Sequence, residues 1–228
     1  SSTGRAEMTL EDLIRRFRLR ATDVAEPHLF ADQDVIDWLN DAEEQACVRG
    51  RLISEDEMEA VCSIPLTPGT HTYALNPLVY EIISLWIKPA SGRKRPATLR
   101  SREWLDHHLP EWRESTRPAE IAIQDDTTVR IVGAVEAGDT LELECYRLPR
   151  RPMAHDTDKP EIHRAHHQHL IDWALHRAFS VPDAETFDQR RADLAERAFT
   201  EYFGPLPDAD MRRITRHDVV HHNRVHFP

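Results

Sequence analysis

A chain of 228 residues, 40% hydrophobic and 30% charged, has the apolar side chains for a core and is too rich in them for a disordered polymer. A net charge of −11 argues against sequence-independent capture of nucleic acid, which needs a lysine and arginine footprint on the phosphates. Three scattered cysteines, Cys47, Cys62 and Cys145, form no CxxC pair, so reduced thiols are expected rather than a zinc ribbon or a disulfide framework. No apolar run approaches the roughly 20 residues of a membrane span, and the N-terminus lacks the apolar core of a signal peptide. These features predict a soluble, intracellular chain.

Along the chain, Thr9 and Asp12 have the spacing of a capping box, ahead of a helix with Leu10, Leu13, Ile14 and Phe17 on one side. After a break at Glu26-Pro27, Asp32 is the expected N-cap of a second helix, which carries Val35, Leu39, Ala42, Ala46 and Cys47 and stops at Gly50. From Val61 the period shortens. Ile64-Pro65-Leu66 and Thr72 to Leu75 flank a Thr67-Pro68-Gly69-Thr70 turn and predict a hairpin. Glu81 to Lys88 reads as a strand, Ser101 as the cap of a short helix ending near Pro110, and Glu120–Gln124, Thr128–Val132 and Thr140–Tyr146 as three further strands. The alternation Leu141-Glu142-Leu143-Glu144-Cys145 predicts a sheet with one wet face.

Pro149, Pro152 and Pro160 punctuate a charged linker. Helical spacing then returns over Glu161–Ser180 and again over Phe187–Phe203, the latter with Leu194, Ala195, Ala198 and Phe199 as its apolar stripe. The expected class is α+β. Residues 1–60 and 151–204 would form one helical bundle, residues 61–150 a small antiparallel β subdomain inserted into it, and residues 205–228 an extended C-terminal arm.

Fourteen histidines invite a catalytic reading. His163 and His167, four apart on the expected helix, are the candidate ligand pair of a metal-dependent hydrolase. A zinc helix of the HExxH type needs a glutamate between its ligands, and Arg164, Ala165 and His166 stand there instead. An interface or solvated face is therefore favoured, with no cofactor expected. Asp125-Asp126 has the chemistry of a hairpin turn as well as of a metal site. The chain has no GxSxG elbow, phosphate-cradling loop or dinucleotide fingerprint. Arg102, Arg113, Arg147, Arg150 and Arg151 could contact DNA or form salt bridges between subunits. A DNA-binding regulator would need a basic surface that the composition does not favour.

Asp156-Thr-Asp-Lys-Pro-Glu-Ile162, then His166 to Phe179, Ser180-Val-Pro-Asp-Ala184 and Phe199-Thr-Glu-Tyr-Phe-Gly204, resemble the C-terminal signature of tailed-phage head-to-tail adaptor proteins. Trp38-Leu-Asn-Asp-Ala-Glu43 is similar to that family's N-terminal helix. Thr72-Tyr-Ala-Leu75, Trp104-Leu-Asp106, Pro110-Glu-Trp-Arg113 and Tyr146-Arg-Leu-Pro149 follow in the expected order. The likeness runs from about Leu10 to Gly204. It departs from the family at Arg117, where a glycine is common, and at Gly133-Ala134-Val135, where a proline-containing turn is common.

The resemblance implies a non-enzymatic neck component of a virion, assembled in the host cytoplasm, in a ring of usually twelve copies. The ring would dock on the portal protein, meet a downstream neck or tail protein, and pass the genome DNA through its lumen without sequence readout. It also implies portal docking by the arm, through Arg212, Arg213, Arg216, His217, Val219, Val220, Arg224 and Phe227. For ring contacts the expected residues are His163, Arg164 and His167.

Overall fold

The computed structural model describes residues 7–182 and 185–207. The protein is mixed α+β and divides into two compact units. One contains the described residues up to Ile53 and from Arg147 to Leu206, and the other is built on Ser54–Tyr146.

The first unit holds four helices: α1 (Leu10–Ala21), α2 (Asp32–Gly50), α5 (His167–Phe179) and α6 (Gln189–Phe203). Thr9 and Asp12 make the reciprocal capping box that their spacing predicts. Leu10, Leu13 and Phe17 are fully buried, each contributing about 1.5–3 kcal/mol on leaving water. They meet Val35, Leu39, Ala42, Ala46 and Cys47 of α2 in one core with Leu170, Ile171 and Ala174 of α5 and Phe199 of α6. Phe30 seals one end, with its ring centroid 5.8 Å from Phe17, 5.7 Å from Trp38 and 6.1 Å from Phe179. α5 packs against each of the other three helices.

Local signals misplace several helix ends. α2 begins at Asp32 itself, after Ala31, and the Asp32 carboxylate takes a hydrogen bond from Arg18 instead of capping. Gly50 lies inside α2, and Arg51 takes the left-handed conformation with φ 50°. α5 starts only at His167, because the N–H groups of Glu161 and Ile162 are held by the Glu43 carboxylate at 2.6 and 3.3 Å. α6 begins at Gln189, where the Asp188 side chain accepts from the Arg191 N–H.

The second unit holds β1 (Ser54–Glu55), α3 (Glu59–Cys62), β2 (Ser63–Pro65), β3 (Thr72–Ala74), β4 (Val79–Lys88), β5 (Arg95–Leu99), α4 (Arg102–His108), β6 (Ile121–Gln124), β7 (Thr128–Val132) and β8 (Thr140–Arg147). The strands join in the order β1-β8-β4-β5-β6-β7-β3, with β2 also on β8. The hairpin expected at Thr67–Thr70 does not form as a strand pair. β2 pairs β8 (Ile64 opposite Leu141) and β3 pairs β7 (Tyr73 opposite Val129). The turn itself is present, tied by the Tyr73 hydroxyl, which donates to the carbonyls of Thr67 and Thr70. The sheet is mixed rather than wholly antiparallel. β5 and β6 run parallel, because the crossover through α4 returns the chain in the same direction.

Leu141, Leu143 and Cys145 of β8 are buried, while Glu142 on the alternate face meets Lys88 at 3.2 Å and Lys94 at 2.7 Å. Gly133 has φ 110°, and a Cβ there would lie 2.6 Å from the Arg117 carbonyl. The two positions that depart from the family pattern are thus neighbours. The Ala134 N–H donates to the Arg117 carbonyl at 2.7 Å, so this loop pair is shaped as one piece.

Candidate assembly site

The helical unit owes its loops to buried ions. Arg18, 7% exposed, donates to Asp23 at 2.5 Å, to the Phe30 carbonyl at 3.2 Å and to Asp32. Asp23, 2% exposed, also accepts from the Leu29 N–H at 2.7 Å, so the α1–α2 connection is wound around one ion pair. Across the unit, Arg147 donates to Glu161 at 2.6 Å. Burial raises the Glu161 pKa, but this hydrogen bond, a second from the Arg150 N–H and the charges of both arginines together outweigh it and hold the carboxylate below its ordinary range. Asn40 clasps Met153 with two hydrogen bonds and fixes the proline-rich segment to α2.

The described histidines do not converge on one site. His163 precedes α5 and is exposed, as is Arg164. His167 is 2% exposed, its Nδ1 accepting from the Met8 N–H at 3.3 Å and its Nε2 donating to the Ile162 carbonyl at 3.0 Å. Burial lowers its pKa, so it is a neutral core residue with both nitrogens occupied. It offers a neighbouring subunit nothing directly, and of the three residues expected at a ring contact His163 and Arg164 are the exposed ones. His166 meets the Tyr202 hydroxyl at 3.1 Å, and His169 stacks on the Tyr202 ring with centroids 3.5 Å apart. His176 donates to the Ala192 carbonyl. These side chains close α5 onto α6. Among the described residues, no three His, Cys, Asp or Glu side chains gather as a metal site would require.

The five arginines set among aromatics are engaged within the chain. Arg102 meets Asp125 through both oxygens at 2.5 and 2.7 Å, and Arg113 meets Asp106 at 2.6 Å. Arg147 and Arg150 share Glu161, and Arg151 lies 3.5 Å from Asp158. Asp125, the first carboxylate of the acid pair, is therefore the clamp of Arg102. Cys47 is fully buried, and burial pushes its thiol pKa up, which makes it inert. The portal-docking set, Arg212, Arg213, Arg216, His217, Val219, Val220, Arg224 and Phe227, lies outside the described residues.

What the helical unit does present is apolar surface. Nine large hydrophobic side chains are exposed among the described residues. One, Leu109, belongs to the β unit. The other eight (Leu19, Val24, Leu29, Val181, Phe187, Leu194, Tyr202 and Leu206) belong to the helical unit. The stripe expected on α6 splits accordingly. Ala195 and Phe199 face the core with Ala192 and Phe203, while Leu194 and Ala198 stand outside it, in line with Tyr202 at four-residue spacing. The sequence marks these positions as apolar, and only the structure shows them exposed. Leu19 likewise falls off the α1 core face.

Ionic groups committed to the chain's own loops, with apolar side chains left outward on the helices, describe the surface of an assembly component. The family model of the SU10 adaptor protein matches residues 8–221, and this chain belongs to that family, a family of phage head–tail adaptors. It is a virion structural component by that membership. A search of curated proteins finds none that matches the chain. Among the described residues no helix is long and apolar enough to cross a membrane.

Proposed function

We propose that this adaptor forms a ring, usually of twelve copies, beneath the portal of a tailed phage or phage-like particle. Its role there is mechanical and not catalytic. The four helices act as a bundle that packs side by side with its neighbours. The β unit is an inserted subdomain that extends the tube or meets a downstream neck or tail protein. The C-terminal segment docks on the portal through its arginines and apolar residues, and DNA passes through the lumen without sequence readout.

The observation that carries this reading is the concentration of exposed apolar side chains in the helical unit. An isolated unit gains nothing from keeping Leu194, Phe187 and Leu19 in water, whereas lateral neighbours bury them. Family membership supports the place in the virion, and an acidic chain suits a channel that DNA must traverse without sticking. The test is co-sedimentation of the full chain and of a variant lacking residues 210–228 with the cognate portal protein. The full chain is expected to sediment with the portal and the shortened one to stay behind. Equal binding by both would remove the docking role of the segment, and binding by neither would remove the adaptor assignment at the portal.

A further inference from the structure

Besides its apolar stripe, the helical unit has two outward faces of opposite sign. On α2, Asp34, Asp37, Asp41 and Glu44 recur at spacings of three, four and three, which puts them on one face of the helix. Arg49, the only basic residue of α2, is packed against α5 and α6. Its guanidinium lies 5.0 Å from the Trp173 ring and 5.2 Å from the Phe199 ring, and it donates to Thr200. Asp41 accepts from the Trp173 indole at 2.7 Å with Arg177 3.7 Å away, and among the described residues Asp37 takes only the neutral amide of Gln33. Partial burial, and then repulsion from Asp41, raise the pKa of Glu44.

The opposite sign lies on α1. Between α1 and α5 runs an open groove of about 590 Å³, walled by Arg15, Arg16, Leu19 and Arg20 on one side and by Gln168, His169, Ile171 and Asp172 on the other, so three arginines face a single carboxylate. Leu19 is 70% exposed at its rim. Arg15 is held loosely by Asp12, with 70% of its own side chain in water, and Arg20 reaches Asp172 with 45% of its side chain in water. Arg16 has no carboxylate partner among the described residues.

We infer that these faces are the two halves of one contact between copies: the basic, leucine-rimmed groove between α1 and α5 receives the acidic face of α2 from the next copy. This rests on the ring assembly proposed above and specifies its lateral contact. A two-fold pairing centred on either face would set acid against acid or arginine against arginine and is disfavoured. Head-to-tail pairing satisfies both faces of every copy, and it is the contact from which closed rings are built. On α2 the acidic positions recur every three to four residues, and on α1 Arg16 and Arg20 are four apart, so the two helices can interleave along part of their length.

Charge reversal on each side tests the inference with the full chain. The groove variant is Arg15→Glu with Arg16→Glu, and the α2 variant is Asp34→Lys with Asp37→Lys. All four residues are exposed, and circular dichroism melts check that both variants fold. Assembly is read by sedimentation velocity at low salt, alone and with portal. Each variant is expected to raise the protein concentration needed for assembly by about tenfold or more. An equimolar mixture of the two variants is expected to assemble again, because each offers the face that the other lacks, and the chain carrying all four changes is expected to assemble by itself. Folded variants that assemble like the wild type, or a mixture that stays apart, would overturn the inference and leave ring assembly standing. A wild-type chain that never assembles, even with portal, would instead remove the ring reading beneath it.

Discussion

Glu43 shows how much one side chain can govern in this unit. It is 2% exposed, and one of its oxygens accepts from both N–H groups that keep residues 161–166 out of α5. Burial raises its pKa to about 7, against the lowering effect of those two hydrogen bonds. A carboxyl whose folded pKa lies above its unfolded value of 4.5 favours the folded state fully below pH 4.5, and that benefit is lost as pH rises to about 7. Glu43→Gln keeps an oxygen acceptor and removes the titration. Denaturant unfolding of the two proteins should therefore show wild-type stability falling relative to the variant by about 3 kcal/mol between pH 4.5 and 7. A constant difference across that range would contradict the assignment. His167 acts with the opposite sign. Its lowered pKa makes it a source of instability as pH falls below its unfolded value of 6.5.

The ion pairs around Arg18 separate burial from exposure on one guanidinium. Asp23→Ala leaves a buried arginine without its main partner and should cost about 3 kcal/mol or more, read as a lowered unfolding midpoint. Asp32 has 71% of its side chain exposed, and Asp32→Ala should cost under about 1 kcal/mol. Equal effects would mean that the loop does not depend on the Asp23 pair.

At the scale of elements, α6 carries the sharpest prediction. Leu194→Glu changes a residue that is 55% exposed, so the melting temperature of the unassembled chain should move little. Assembly should weaken at the same time. Phe199→Ala, fully buried on the same helix, should do the reverse and cost about 3–5 kcal/mol of stability. In the β unit, Gly133→Ala meets the Arg117 carbonyl and the Ala119 Cα at 2.6 and 2.9 Å, at a φ that disfavours any side chain. It should destabilise that unit by more than about 2 kcal/mol, seen as an early unfolding step.

The elements legible in the sequence are those whose signals are local. The Thr9–Asp12 capping box, the Ser101 cap and the alternation in β8 need only neighbours a few residues away. β5 was hidden by Pro96, and β1 and α3 are too short to show a period. The false hairpin arose because β2 and β3 flank a genuine turn yet find partners far along the chain. The His163/His167 pair failed for the same reason. Four-residue spacing means one face only within a helix, and contacts from Glu43, more than a hundred positions away, delay the start of α5. The exposed half of the α6 stripe was legible as apolar, but not as unburied, since periodicity cannot say how many neighbours a helix has.

At the scale of the molecule, membership of the SU10 adaptor family accompanies a chain among whose described residues no three metal-ligating side chains gather. It also accompanies helices that fold with apolar surface to spare. The internal ion pairs at Arg18, Arg102 and Arg147 hold each unit's shape without a neighbour, so the subunit can be complete before it assembles. Under the proposed assembly the contact surfaces are those on the helices, where Leu19, Leu194 and the oppositely charged faces of α1 and α2 stand outward. The most direct measurement is the mass, by light scattering, of the complex formed when the full chain is mixed with its cognate portal. The account predicts that the portal gains a fixed whole number of 26.4 kDa subunits, close to the portal's own copy number. A chain that keeps its own mass beside the portal, at every ratio, would contradict it.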